Sequence, residues 1–415
     1  MSPEPRYFCG IDWADQLNDV AVVDRHGAVV ARTRIAATPD GVRELFHTLD
    51  GLRVGHSHGR RQVPVSIEAN RSLLVHTLVA RRQPVFMISP NDVAARRHQV
   101  SRGRKSDRSD AELLAQMLRD RWGRLQALPA VSAQASAITV LAHAQRRAQR
   151  LREQLQAQLR ARLVQAHPAA VRAWEGRDHN LCRAEARAVL QAGPTAASAQ
   201  KITAYQWEKI LTGVRLRLLE QESLRLWDLF SAPVLRLPSA VEQATAVEVR
   251  AVLAQMNHAC DTTEHLTTEL TNLFRAHPHA QIYQSFPGCG PLTGARLLAE
   301  IGDDPTRFRS ARGLRAYAGV APRTWASGSV TQVTHRWICN RALKLACHRW
   351  AFSALTRSPG ARTLYDHRRD RGDTYAGALR RLSARLLSGL HHCLTTGDLY
   401  DEDRMFSTTK PAQTV

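Results

Sequence analysis

The order of apolar runs in the first 125 residues limits this chain more than any other feature. "YFCGID" is a short apolar run ending on Asp12, and "DVAVVD" (19–24) and "AVVARTRI" (28–35) flank the turn "RHG". The pair reads as a β-hairpin. "TPDGVRELFHTL" opens on Thr38 and Pro39, a cap followed by a first-turn proline, and continues with helical spacing. "VPVSIE" is a strand ending on Glu68, "SLLVHTLVARR" is helical, "PVFMIS" is a strand, and "SPNDVAARRHQV" is helical again. The order β-β-β-α-β-α-β-α predicts a mixed sheet. Consecutive hairpin strands pair antiparallel, whereas strands separated by a helix return parallel.

A further helix opens in "RGRKSDRSDAELLA" (102–115), where Asp107 and Asp110 stand three residues apart behind four cations. One reading is a helix start, with Ser106 as cap and acids at the positive end of the helix dipole. The other is a metal site facing a polyanion. Asp12 and Glu68 end two strands of the same sheet, and the spacing of three puts Asp107 and Asp110 on one helix face. Four converging carboxylates repel one another unless cations sit between them, and hard oxygen donors favour Mg²⁺ or Mn²⁺. Two such ions could clamp the attacking and leaving oxygens of a phosphoryl transfer, with Arg102, Arg104, Lys105 and Arg108 meeting the phosphates. Taken singly, Asp12 also reads as a turn residue and Glu68 as a salt-bridged strand end. The arrangement resembles the ribonuclease-H-like fold of the RuvC type. Actin-like sugar kinases share the early strand order, but they need glycine-rich phosphate loops and none follows "GIDWAD".

The balance of 58 Lys+Arg against 37 Asp+Glu, a net charge of +21, calls for an anionic partner: nucleic acid first, an anionic membrane surface second. Nearly all the cations are Arg, which forks onto phosphate, although a GC-rich genome makes the same exchange. No run approaches 18 apolar residues and no apolar leader opens the chain, so neither a span nor a signal peptide is expected. The seven cysteines, at 9, 182, 260, 289, 339, 347 and 393, form no C-x-x-C pair. That argues against a structural zinc or a disulfide framework and suits a reducing cytoplasm.

From about 130 to 280 the pattern is helical. Leu151, Leu155, Leu159 and Leu163 form one stripe, and Val249, Val252, Met256, Leu266, Leu270 and Leu273 another. Such helices read as a bundle or coiled coil, or as a plain helical spacer. "FPGCGPLTGARLLAEIGD" (286–303) has the form of a helix-hairpin-helix, in which Gly288 and Gly290 let backbone approach a phosphate; packing glycines in an αα-turn are the alternative. "APRTWASGSV" offers Ser327 and Ser329 around Gly328, with Arg323 upstream, as a candidate nucleophile or a simple loop. In "THRWICNRALKLACHRW", Arg341, Lys344, His348 and Arg349 make a basic face, phosphate-facing or merely solvated. The polar tail after about 401 is expected to be disordered.

"GIDWAD", "SIEAN", "KSDRSDAELLA", "FPGCGPLTGARLLAEIGD", "RGLRAYAGVAPRTWASGS" and "CNRALKLA" follow one another in an order that resembles the insertion-sequence one-ten transposases, also called Piv-type or DEDD recombinases. The resemblance implies a fold class of α/β plus α: a RuvC-like, ribonuclease-H-like domain (1–128), a helical coiled-coil connector (129–280), a mainly helical transposase domain with helix-hairpin-helix (281–400) and a disordered tail (401–415). It implies Asp12, Glu68, Asp107 and Asp110 as catalytic metal ligands for Mg²⁺ (or Mn²⁺) and Ser327 as nucleophile, through a phosphoserine intermediate. It implies donor and target DNA and a structured non-coding bridge RNA as partners, a homo-oligomer (dimer or tetramer), no membrane, and a bacterial cytoplasmic setting. Cys339 departs from the glycine that commonly precedes the Asn here. Two rival readings use fewer parts: a RuvC-like endonuclease with a metal-activated water, leaving Ser327 structural, and a non-catalytic nucleic-acid-binding protein.

The charge generates a direct expectation. Log affinity for duplex DNA should fall linearly with log salt at about −0.9 per neutralised phosphate. Fluorescence anisotropy titrations at several salt concentrations measure the slope, and a flat response would contradict the phosphate-binding reading.

Overall fold

A computed structural model describes residues 5–52, 63–68, 72–101, 107–129, 131–176, 180–214, 219–321, 323–327, 330–334 and 338–406. These divide into two compact units, Met1–Val131 and Ser132–Val415.

The N-terminal unit is built on a five-stranded sheet in the order β3-β2-β1-β4-β5. Its strands are β1 (Tyr7–Asp12), β2 (Leu17–Asp24), β3 (Val29–Ala36), β4 (Val65–Ile67) and β5 (Val85–Met87). β1, β2 and β3 pair antiparallel, whereas β4 runs parallel to both β1 and β5. That is the mixed sheet expected. In the β2–β3 turn, Asp24 Oδ1 accepts from the backbone N–H groups of His26 (2.8 Å) and Ala28 (2.9 Å).

Four helices complete the unit: α1 (Pro39–Gly51), α2 (Leu73–Ala80), α3 (Pro90–Ser101) and α4 (Asp107–Asp120). α1 starts as the sequence indicates, with the Thr38 side chain accepting from the Gly41 N–H and Pro39 in the first turn. Strand alternation sorts β1 between two cores. Cys9 and Ile11 join Leu45, Leu49 and Leu78 in one core, while Phe8 joins Leu114, Met117 and Leu118 in the other. Trp122 closes the second core edge-on to Phe8, with ring centroids 5.7 Å apart.

The C-terminal unit hangs on two long helices, α5 (Ala133–Ala166) and, after the short α6 (Pro168–Arg172), α7 (Ala184–Ala192), α8 (Ala196–Gln200), α9 (Ala204–Thr212) and α10 (Leu219–Ser231), α11 (Ser239–Arg275). At 1.5 Å per residue each is about 50 Å long. Half of the α5–α11 pair buries Leu155, Leu159, Leu163, Val249, Leu253 and Met256 together with the short helices around Trp174 and Trp207. The other half puts Ile138, Ala142, Leu270 and Phe274 into the core of the remaining elements. Those are α12 (Ala280–Ser285), α13 (Pro291–Ile301), α14 (Ala311–Tyr317), β6 (Arg323–Ser327), β7 (Val330–Thr334), α15 (Arg341–Ala354), α16 (Pro359–Asp370), α17 (Tyr375–Thr396) and α18 (Glu402–Phe406). The connector and the segment after 280 thus lie in one unit, because α5 and α11 pack into both cores.

Two expectations are corrected. Leu151 is not on the inward stripe of α5 but 51% exposed. Steps of four advance about 400°, so three of them drift about 120° around the helix, and Leu151 cannot share a face with Leu163. The tail is ordered further than expected: Met405 is buried, and Glu402 accepts from Ser358 Oγ (2.7 Å) and the Gly360 N–H (2.8 Å). These contacts hold α18 against the unit; residues 407–415 lie outside the described residues. Each of the seven cysteines is a free thiol. Among the described residues no helix is long and apolar enough to cross a membrane.

The packing of α4 on β1 depends on Gly10. A Cβ there would lie 2.0 Å from the Ala111 carbonyl oxygen and 2.5 Å from the Ala115 nitrogen. Gly10→Ala should therefore destabilise the N-terminal unit by about 3 kcal/mol, at the upper end of overpacking costs. Thermal denaturation checks this; an unchanged melting temperature would mean that α4 is not held so tightly.

Candidate active site

β1 and β4 are parallel neighbours whose last paired residues are Ile11 and Ile67. The next residue on each is Asp12 and Glu68, so both carboxylates leave the sheet at the same edge, each half-buried. The close approach of α4 at Gly10 brings in the third. Asp110 directly precedes Ala111, the residue whose carbonyl lies over Gly10, and is only 2% exposed. Asp107, one turn earlier, is the first residue of α4.

What meets these acids is Arg97, from α3. Its guanidinium forks onto Asp110, with Nε to Oδ1 and Nη2 to Oδ2 both at 2.8 Å. This is the bidentate geometry that makes Arg–carboxylate pairs strong. The Asp110 hydrogen bond, and then the negative fields of Asp110, Glu68 and Asp12, raise the Arg97 pKa above its ordinary value, against the opposing effect of burial. Three of the four expected acids therefore act on one cation. Asp19, opposite Asp12 in the β1–β2 register, is buried but engaged by Arg34 at 3.1 and 2.7 Å.

Among the described residues no group of three or more His, Cys, Asp or Glu stands close enough to hold a metal ion. The chemistry of the donor set nevertheless fits Mg²⁺ or Mn²⁺: the donors are all carboxylate oxygens, gathered at one edge where a positive charge is already accommodated. Each Asp110 oxygen accepts one bond from Arg97 and keeps a second lone pair. Arg102, Arg104, Lys105 and Ser106 lie outside the described residues. Arg108 is placed in α4 by its backbone.

In the other unit, Ser327 is the last residue of β6 and pairs with Val330 of β7. Gly328 and Ser329 lie outside the described residues. Arg323 begins β6, opposite Thr334. The feet of this hairpin are tied to the end of α14: the N–H groups of Val320 and Ala321 donate to the Arg315 carbonyl (3.1 and 3.2 Å), and that of Asn340 to the Tyr317 carbonyl (2.8 Å). Asn340 also caps α15, its Oδ1 accepting from the Leu343 N–H at 2.9 Å. Its Nδ2 donates to Glu300 Oε2 (2.8 Å) and to the Tyr317 hydroxyl (2.9 Å).

Glu300 is the centre of this network. Its Oε1 meets His143 Nε2 at 2.9 Å and accepts from Arg146 at 2.8 Å, both from α5. Burial pushes the Glu300 carboxyl up, but the hydrogen bonds from His143, Asn340 and Arg146 outweigh it and hold the pKa at about 2.

The expected phosphate contacts are distributed around this unit. Gly290 is the N-cap of α13 with open space beside it, whereas Gly288, at φ +72°, packs against the α15 backbone, where a Cβ would come within 2.7 Å of Ala354 N. Gly288 thus serves packing in this fold. On α15, Arg341 and Arg349 are exposed and Lys344 and His348 half-buried. Sequence reasoning missed Arg97, Glu300 and Asn340. Only the proximity of Arg97 to the D-x-x-D segment and the position of Asn340 at a helix start hinted at them.

Comparison with known proteins matches both halves of the chain. Residues 9–168 match the DEDD-type transposase family model, described as a transposase. Residues 280–366 match the model of the transposase IS116/IS110/IS902 family. The chain is 43% identical over 404 residues, 96% of each sequence, to a Streptomyces coelicolor protein titled "Mini-circle putative transposase for IS117". It is 40% identical over 141 residues, 34% of each, to an insertion element IS110 protein of 43.6 kDa from the same species. It is 35% identical over 160 residues to an insertion element IS900 protein of 42 kDa from Mycobacterium paratuberculosis, covering 38% of this chain and 40% of that one.

The Glu300 network sets a pH expectation. A carboxyl held at about 2 in the fold, against 4.5 ordinarily, stabilises the fold above pH 4.5, and that stability is lost as the pH falls toward 2. Its size is on the order of 3 kcal/mol. Glu300→Gln should be less stable than wild type at neutral pH, and the difference should shrink from pH 4.5 downwards. Chemical denaturation across that range checks it; a constant difference would refute the assignment.

Proposed function

This chain belongs to the IS116/IS110/IS902 family of transposases, and from that premise we propose that it is an insertion-sequence DNA recombinase that cuts and rejoins strands through a phosphoserine intermediate. The observation that carries the reading is the placement of Asp12 and Glu68 just past the ends of adjoining parallel strands, with Asp110, bound by Arg97, on the helix packed over β1. The five-stranded sheet is read as RuvC-like, within the ribonuclease-H-like class.

In this reading Ser327 Oγ forms a bond to a DNA phosphorus while the bond to the departing strand's oxygen breaks and that oxygen takes up a proton. A hydroxyl of the incoming strand then displaces the serine. One phosphoester bond is made for each one broken, so the exchange needs no outside energy source. Asp12, Glu68, Asp107 and Asp110 would hold Mg²⁺ or Mn²⁺, which neutralises charge developing on the phosphate. Arg102, Arg104, Lys105, Arg108, Gly290, Arg323, Arg341, Lys344 and Arg349 would meet the backbone phosphates of donor and target DNA and of a structured bridge RNA. Gly288 acts indirectly, by packing. The working form is a homo-oligomer, dimer or tetramer, in the bacterial cytoplasm.

A second reading is favoured by one observation: three of the acids are assembled within the N-terminal unit alone. A RuvC-like endonuclease would use them with an activated water and leave Ser327 idle. Trapping separates the two. Wild-type protein with Mg²⁺ and labelled DNA should give a protein–DNA adduct that survives denaturation. Ser327→Ala should abolish it and lower cleavage by on the order of a thousandfold or more, and Ser329→Ala should be milder. Asp12→Ala should lose cleavage yet keep DNA binding. Cleavage by Ser327→Ala at the wild-type rate, with no adduct from wild type, would establish the water mechanism instead.

A further inference from the structure

A cleft between α5, α13 and α15 gathers four arginines. Arg146 and Arg150 come from α5, Arg296 from α13 and Arg349 from α15; Gln149 and the carboxylate Glu153 complete its polar lining. About 80 Å³ of it is open to the centres of water-sized molecules, room for a phosphate group.

The four guanidinium groups are not alike. Arg146 is paired with Glu300 at 2.8 Å. Arg150 and Arg349 are exposed, and Glu153 accepts from Gln149 at 2.8 Å. Arg296 is held in place: its Nη2 donates to Gln145 Oε1 at 2.7 Å and to Gln149 Oε1 at 2.6 Å, both neutral acceptors. Its Nε is buried with no hydrogen-bond partner among the described residues. Burial, then the like charges of Arg349 and Arg146, lower its pKa to about 10, with Glu153 opposing. A half-buried cation positioned by neutral amides, short of one bond and beside two like charges, is costly unless an anion arrives. Arginine groups from three helices around a concave surface suit a tetrahedral oxyanion, which accepts from several directions at once.

We propose that this cleft is a niche seating one backbone phosphodiester of a nucleic-acid strand, with Arg296 at its floor and Arg150 and Arg349 at its mouth. The proposal rests on the reading of the chain as a nucleic-acid-processing protein and adds a site that neither the acid cluster nor the serine hairpin supplies. Arg146 and Arg150 lie outside the motifs that carried the family resemblance, whereas Arg296 stands inside "FPGCGPLTGARLLAEIGD".

The test uses the full-length protein and two variants, Arg296→Gln and Arg150→Gln. The latter alters an exposed side chain and leaves the core intact. Two probes are needed. The first is sulfate against chloride at equal ionic strength, read as a thermal shift: sulfate should raise the wild-type melting temperature specifically, and both variants should lose most of that rise. The second is binding of duplex DNA, single-stranded DNA and a structured RNA over a range of salt. On the nucleic acid that occupies the niche, Arg296→Gln should weaken binding about tenfold, as for a lost charge-assisted bond. Its log–log salt slope should become shallower by about 0.9 for a duplex or about 0.7 for a single strand. Because one phosphate is held by both residues, a third form carrying Arg150→Gln and Arg296→Gln together should have a slope no shallower than Arg296→Gln alone. Wild-type affinity and slope in both variants on all three nucleic acids, with DNA cleavage intact, would overturn the niche while leaving the recombinase reading in place. Failure of the wild type to bind any of the three would instead remove the reading on which the niche rests.

Discussion

The backbone of α4 lies against Gly10 with no side chain between, and the N-terminal unit depends on that contact. It covers one face of the central strand and fixes the start of α4 beside the strand end. Asp12 is two residues beyond the glycine, and Asp110 is one residue before the alanine that overlies it. A larger residue at position 10 would part helix and strand and carry Asp110 away from the edge that Asp12 and Glu68 share. Close backbone packing is therefore both a source of stability and the device that assembles the acids.

Gathering acids creates an electrostatic problem that the fold solves with Arg97. The guanidinium takes both oxygens of the most buried carboxylate and lies in the field of two others. An arginine spends no effort changing protonation, so the site remains folded as long as that charge is present.

In the C-terminal unit a polar network plays the corresponding part. Glu300 collects donors from α5 and from the residue that caps α15, so the beginning of the long connector helix and the segment that follows the serine hairpin share one buried charge. Removing any one donor leaves a desolvated carboxylate short of a partner, which makes such networks stiff. The family relationship runs through both units: the S. coelicolor relative aligns over 96% of the chain, whereas the two shorter matches cover only about a third of it.

Much of the architecture was legible before any coordinates. Strand alternation, the Thr38–Pro39 cap and the D-x-x-D helix start are local features, set by sterics and hydrogen bonds between residues a few positions apart. The element order was therefore readable, and so were the two strand-end acids. What was not readable depends on residues far apart in sequence. Arg97 is one arginine among dozens, and only the approach of α3 to α4 singles it out. Glu300 reads as a helix residue until His143, 157 positions away, meets it. Leu151 looked like its neighbours because a spacing of four imitates a stripe over two turns and departs from it over three. The tail composition suggested disorder, yet Met405 found a buried place. The sequence by itself determined most of the helices and the strands of the N-terminal sheet, because those follow from local geometry and side-chain type, whereas the β6–β7 hairpin read as a loop. Only the tertiary structure decided which charges meet, because in a chain with a net charge of +21 every carboxylate has many possible partners, and packing alone brings one of them within reach.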